Sequence, residues 1–327
     1  MSSAVWDKPP PERILVVKPG SMGDVIHALP VVAALKNAWP ATEISWLIDQ
    51  RWEPLLAGNP NLARTIIFPR ERFRGPSGLL RAIPWMSSLA DAKPDLCIDL
   101  QGLLRSATMA KFSGAPQIVG LSDAREGAGL FYSDTATVET NEHSVLRYLR
   151  VLEVLGLPAP TIPEFWLPQG TLPPGVPQEP YLLLHPFARG QGKSLAPEVL
   201  NALCDALSPR KIVLAGGPSP AAPQASHITN LLGKTTLPEL TALIRQAIFM
   251  ISVDSGPAHI AAAVGTPLLA IHTWSNPQTV GPFNESSWLW QGGEIRRQKR
   301  TGDAPLPRQE PNVDDAKIIA AHVLAVR

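Results

Sequence analysis

Cysteine is nearly missing: the 327 residues hold two, Cys97 and Cys204. Two isolated thiols make neither a disulfide framework nor a zinc site. One lies in an apolar run and the other on a predicted helix, so both read as small core residues, as suits a reducing cytoplasm. Long apolar runs are missing too. No stretch approaches ~18 consecutive apolar residues, so no transmembrane helix is expected. The polar, Pro-rich start Met1–Glu12 has no apolar h-region and does not read as a signal peptide. Charge of one sign is also lacking. A net charge of +1 gives no general attraction for nucleic acid or an anionic membrane, and any membrane contact is expected to be peripheral. Several motifs are absent as well. There is no Asp-x-Asp pair for a metal–nucleotide bridge, no Gly-x-Ser-x-Gly elbow, no G-x-x-x-x-G-K-[ST] loop and no G-x-G-x-x-G turn. Their absence weighs against metal-bridged nucleotide, hydrolase, P-loop kinase and dinucleotide readings.

What is present is globular: 45% apolar and 17% charged residues, enough apolar material for two cores at a length where single cores stop growing. Apolar strand-like runs alternate with helical spacing. Arg13–Val17, Ile44–Ile48, Thr65–Phe68, Leu96–Leu100 and Ile118–Gly120 read as strands. Helices are expected over 25–38, 77–92, 103–112 and 143–155. This is the rhythm of a parallel, doubly wound sheet. Prolines crowd 157–180, where neither helix nor central strand can continue. The rhythm then restarts with strands at 181–185, 212–215, 249–253 and 268–271. The expected organisation is therefore a first domain over 1–156, a linker over 157–180 and a second domain over 181–327. The last helix, 314–325, is a candidate to pack back on the first domain.

Three loops carry chemistry. The first, KPGSMGDVIH at 18–27, follows the first strand and opens a helix, the place where doubly wound sheets bind ligands. Asp24 there is either a helix cap or a general base. His27, one turn deeper, is expected to point into the domain. The second loop is VDSGPAH at 253–259. Free N–H groups of Ser255, Gly256 and Ala258 at a helix N-terminus suit phosphate oxygens. Asp254 suits a sugar or ribose hydroxyl, or a cap, and His259 reads as a packed helix residue or a ligand contact. The third loop, LHPFARGQGK at 184–193, presents Arg189 and Lys193, which suit a pyrophosphate leaving group or are plain surface charges. Arg64, Arg70, Arg72, Arg74 and Arg81, with Arg105, Lys111 and Arg125 further on, suit an anionic acceptor or form an ordinary solvated face.

Together these loops resemble glycosyltransferase family nine, the ADP-heptose:lipopolysaccharide heptosyltransferases. The resemblance rests on KPGSMGDVIHALP at 18–30, DLCIDLQGLLRSA at 95–107, DAREGAGLFY at 123–132, HSVLRYLRVLEVLG at 143–156, LPEL at 237–240 and SVDSGPAHIAAAVGTP at 252–267. HTWSNPQTVGPF at 272–283 is a looser copy of a Gly-Pro-Thr-Asp-Pro segment. Within the family the chain is most like the heptosyltransferase I type. The resemblance implies a GT-B fold, two facing Rossmann-like domains with mostly parallel sheets. It implies an inverting, metal-independent transfer with no cofactor, from an ADP-sugar donor to a lipid-linked Kdo acceptor, at the cytoplasmic face of the inner membrane and without nucleic acid. By motif match Asp24 is the catalytic base. Lys193, Arg189, Asp254, Ser255, Gly256, His259 and Glu239 bind the donor. Lys18, Ser21, Met22, Gly23, Arg64, Arg70, Arg72, Gln101 and Arg125 bind the acceptor. The chain departs from the pattern at Phe187, Ala188 and Leu195 and at Ser275-Asn276-Pro277. A transferase of the same family that uses another nucleotide sugar, a GT-B-fold nucleotide-sugar 2-epimerase and a non-catalytic nucleotide-binding module are the competing readings. ADP release with and without acceptor separates them.

Overall fold

The computed structural model describes residues 8–190, 192–219, 222–299 and 306–326, and leaves the side chains of 76 and 79 undescribed. The start of the chain up to Asp7 and Gln191 of the third loop lie outside the described residues. The chain divides into two compact units, Met1–Trp166 and Leu167–Arg327.

The first unit carries six strands: β1 Arg13–Val17, β2 Glu43–Asp49, β3 Arg64–Phe68, β4 Leu96–Asp99, β5 Gln117–Leu121 and β6 Asp134–Ala136. All pair parallel, in the order β3-β2-β1-β4-β5-β6. That is the order of a doubly wound Rossmann sheet, whose direction reverses between β1 and β4. The central strands read as unbroken apolar runs because helices cover both faces of a parallel sheet. Ile14–Val17 and Ile44–Ile48 are accordingly buried. The connecting helices are α1 Met22–Ala38, α2 Pro76–Ser88 and α3 Leu104–Phe112, followed by the short α4 Ser144–Leu149 and α5 Val151–Val154. Leu15, Val17, Leu47, Phe68, Cys97, Met109 and Ile118 form one core cluster, and α4 packs on α1.

The second unit repeats the plan. Its strands are β7 Tyr181–His185, β8 Lys211–Leu214, β9 Ile228–Asn230, β10 Phe249–Val253, β11 Leu268–Ile271, β12 Trp288–Gln291 and β13 Glu294–Arg297. The order is β13-β12-β11-β10-β7-β8-β9, parallel except for the β12–β13 hairpin. The reversal falls between β7 and β10. Helices α6 Pro197–Leu207, α7 Leu237–Gln246, α8 Gly256–Val264, the single-turn α9 Pro277–Val280 and α10 Val313–Ala325 complete it. Cys97 and Cys204 are both buried, free thiols.

The last helix belongs to the core of the second unit. α10 packs on α6, and Ala316, Ile319, Ala320 and Val323 join the second unit's core with Leu200, Leu203 and Trp290. Val313 and Ile318 of the same helix remain exposed.

Candidate active site

At each reversal point two strand ends diverge and leave room for a ligand outside the carboxyl edge. In the first unit the loop after β1 fills that place. It is tied to the sheet by backbone bonds, Lys18 N–H to the Leu47 carbonyl at 3.2 Å and Asp49 N–H to the Pro19 carbonyl at 3.1 Å. The Trp46 indole donates to the Lys18 carbonyl at 3.0 Å. A side chain at Gly20 would meet the Trp52 indole nitrogen at 2.9 Å, so this glycine is needed for close packing before any ligand is considered.

Ser21 is the N-cap of α1 and Asp24 is three residues into it. The cap position is therefore Ser21 and not Asp24. Ser21 donates its N–H (2.9 Å) and its Oγ hydroxyl (2.8 Å) to Asp24 Oδ2, half of a capping box. The Tyr148 hydroxyl of α4 donates to the other oxygen, Oδ1, at 3.1 Å. Burial raises the Asp24 pKa. The Lys18 charge, the two Ser21 bonds and the Tyr148 bond outweigh it and hold the carboxyl below its ordinary value. The site therefore keeps an anion at the mouth of the loop.

Lys18 is only 2% exposed. Its Nζ donates to the Leu100 carbonyl at 3.2 Å and lies 4.7 Å over the Tyr148 ring. Burial lowers its pKa, opposed by the charge of Asp24. This corrects its assignment to the acceptor: the ammonium is directed inward, beneath the site. His27 is buried and meets His143 edge to face at 5.2 Å.

The carboxyl ends of β4 and β5 add a second arrangement. Asp99 is wholly buried and accepts from Gln101 N–H (2.9 Å), Gly102 N–H (3.2 Å), Ser106 Oγ (2.8 Å) and Tyr132 Oη (2.8 Å). Arg125 N–H is anchored to the Gly102 carbonyl at 2.8 Å, and the side chain is exposed. The exposed Arg70 and Arg72 follow β3 at the same edge. Arg70 is close enough to act on the charges of Asp49 and Arg105. Arg51, which the sequence reading passed over, clamps Asp49 with bonds of 2.8 and 2.7 Å. Arg64 stands apart from this group. It begins β3, opposite Ser45, about 13 Å of strand away from the carboxyl end at ~3.3 Å per residue. A parallel sheet puts that residue on the wrong edge.

In the second unit the loop after β7 closes on itself. Leu195 N–H bonds the Pro186 carbonyl at 2.9 Å, and Ser194 Oγ bonds the Ala188 carbonyl and amide at 3.1 Å each. Gly190 and Gly192 have φ of +107° and +72°, backbone that favours glycine. The closed loop presents an exposed Arg189 and aims Lys193 at the end of β10. Lys193 Nζ lies 3.1 Å from Asp254 Oδ2 and 4.4 Å over the half-exposed Trp274 ring. Ser255 is the N-cap of α8. Ala258 N–H already bonds the Ser255 carbonyl at 3.1 Å, so it leaves the expected phosphate cradle, and the amides of Ser255 and Gly256 remain for it. His259 is buried one turn in. Burial raises the Asp254 pKa, but His272, His259, Lys193 and a bond from Ser275 together lower it. Glu239 sits in the α7 capping box, where its Oε2 accepts from Thr236 N–H (2.7 Å) and Oγ1 (2.8 Å). Oε1 has no partner among the described residues. No group of three or more His, Cys, Asp or Glu suited to a metal ion occurs among the described residues.

The model of glycosyltransferase family 9 (heptosyltransferase) matches residues 85–302. The lipopolysaccharide core heptosyltransferase OpsX of Haemophilus influenzae is 26% identical over 318 residues, covering 89% of this chain and 88% of that protein. Lipopolysaccharide heptosyltransferase 1 of Pseudomonas aeruginosa is 28% identical over 291 residues, covering 84% and 82%. The E. coli heptosyltransferase WaaC, solved with ADP and with ADP-2-deoxy-2-fluoro heptose, superposes with TM-scores of 0.77 and 0.76. Identity is 22%, covering 95% of this chain and 99% of that one. The likeness shows the fold: GT-B, with Rossmann-like α/β units and mostly parallel sheets.

Proposed function

The chain belongs to glycosyltransferase family 9, the heptosyltransferases, and from that premise we propose that it transfers heptose from ADP-heptose to a Kdo-bearing lipid A precursor. The transfer proceeds without metal and with inversion at the anomeric carbon. WaaC, solved with ADP and a fluorinated ADP-heptose, supports the donor, and the names of the lipopolysaccharide relatives support the acceptor class.

The observation that carries the mechanism is the anionic Asp24 at the first unit's reversal point. In the reaction the acceptor's O–H bond breaks and its proton passes to the Asp24 carboxylate. The acceptor oxygen bonds the anomeric carbon from the face opposite the diphosphate. The anomeric C–O bond breaks, and its electron pair leaves with ADP. A carboxylate held below its ordinary pKa takes the proton during the displacement, as charge builds on the oxygen, rather than before it. Lys193, Arg189 and the Ser255 and Gly256 amides at the positive end of α8 offset the diphosphate charge. Asp254 accepts a hydroxyl of the donor sugar, Glu239 Oε1 a ribose hydroxyl, and His259 backs the phosphate end. Arg70, Arg72 and Arg125 hold the acceptor's anionic groups as guanidinium forks. Gln101, Ser21, Met22 and Gly23 border its hydroxyl. No helix among the described residues is long and apolar enough to cross a membrane. The exposed Leu80 and Ile83 of α2, a helix that packs on the Arg70–Phe73 turn, suit peripheral contact with the cytoplasmic face of the inner membrane.

Asp24→Asn tests the reading. The amide keeps the size and can still accept from Ser21, but it no longer meets the charge of the buried Lys18, so the melting temperature should fall while the protein stays folded. Turnover should fall by about 10²-fold or more while ADP-heptose still binds. Near-normal turnover would mean that the base lies elsewhere and that Asp24 serves only α1.

A further inference from the structure

Asp254 ends a buried line of polar groups that the donor reading leaves unexplained. Ser275 Oγ lies 2.8 Å from Asp254 Oδ2 and 2.8 Å from His272 Nδ1. All three residues are in the second unit, and His272 is only 1% exposed. The direction of each bond follows from counting protons. An ionised carboxylate only accepts, so the single hydroxyl proton of Ser275 goes to Asp254. The Ser275 oxygen must then accept, and His272 must carry its proton on Nδ1. Burial pulls the His272 pKa down to about 4, so the ring is neutral in this role. Its Nε2 is an acceptor with no partner among the described residues.

The line has an anchor. His272 N–H bonds the Trp290 carbonyl at 2.9 Å, and Gln291 Nε2 donates to the Ser275 carbonyl at 3.3 Å, so both residues are fixed to β12. Thr273 Oγ1 donates to the Gly192 carbonyl at 2.8 Å, which ties the same turn to the lysine loop. Asp254 Oδ2 is committed to Ser275 and Lys193, and neither of these bonds uses Oδ1.

We propose that His272 and Ser275 are positioning residues: they lock Asp254 by Oδ2 so that Oδ1 is presented to a hydroxyl of the donor's sugar. This rests on the reading above that Asp254 meets the donor sugar. It assigns the looser 272–277 segment a role in recognising the sugar rather than the nucleotide.

The test compares ADP and ADP-heptose affinities by calorimetry, alongside KM and kcat, for four variants and the wild type. Ser275→Ala should weaken ADP-heptose and raise its KM about tenfold, the loss expected of one hydrogen bond to a charged group. ADP affinity and the melting temperature should stay nearly unchanged. Ser275→Thr, which keeps the hydroxyl, should restore the wild-type values. His272→Leu should behave as Ser275→Ala. His272→Asn, whose amide nitrogen replaces Nδ1, should stay close to wild type. Equal weakening of ADP and ADP-heptose, or an unchanged KM in Ser275→Ala, would overturn the proposal. A wild-type protein that binds ADP and ADP-heptose alike would overturn the donor-sugar reading itself, and the proposal with it, before any variant is made.

Discussion

A lysine ammonium taken out of water is costly unless a charge or polar partner meets it. Lys18 is held in that state beneath a carboxylate and a tyrosine ring. Its charge is the first of the contributions that hold the Asp24 pKa down. A depressed carboxylate stabilises the fold above its unfolded pKa and loses that contribution as pH falls through the folded one. The same shift keeps the Asp24 carboxylate anionic on the acid side. Lys18→Met, which keeps the length of the side chain, should therefore move the acidic limb of the pH–rate profile upward. An unmoved limb would show that Lys18 does not tune Asp24. Asp24 stands out in the sequence as the only carboxylate of the first strand–helix loop. Lys18 was legible only as a positive charge. Its inward direction is set by the Leu100 carbonyl and the Tyr148 ring, 82 and 130 positions away in the chain, and spacing carries no signal of such contacts. The same holds for Tyr148, which reaches Asp24 from 124 positions away.

Among the elements, the long apolar runs were readable because a parallel strand covered on both faces has no polar alternation to confuse it. β6 and β9, of three residues each, were too short to show a pattern, and the β12–β13 hairpin lies in a stretch mixing tryptophan with charge. The edge on which a loop lies decides more than its composition. Arg70 and Arg72 follow β3, whereas Arg64 begins it, a distinction a count of arginines cannot draw. Replacing Arg70 and Arg72 by Gln should raise the acceptor's KM, leave the donor's nearly unchanged and lose its effect at high salt, where exposed charges are screened. Arg64→Gln, on the opposite edge, should leave both constants alone. If Arg64→Gln matched the double variant, the effect would be one of net charge and not of a site. A change in the donor's KM alone would reverse the roles given to the two units.

For the whole molecule, the restart of the βα rhythm after the proline-dense stretch signals a second parallel α/β unit but not the strand order that it repeats. Nor does the sequence tell which core takes the last helix. An amphipathic pattern states that a face must be buried and is silent on which core will bury it, and α10 takes the α6 side of the second unit. In the function proposed above, the two units divide the chemistry between them: a base beside the α1 cap in one, cations and a helix N-terminus for a diphosphate in the other. The most direct measurement of that division is the mass of a Kdo-lipid A acceptor after incubation with ADP-heptose in excess EDTA. A gain of one heptosyl residue is expected, matched by equal release of ADP that stops when acceptor is withheld. ADP release without acceptor, or a gain that appears only when Mg²⁺ is restored, would contradict the proposed function.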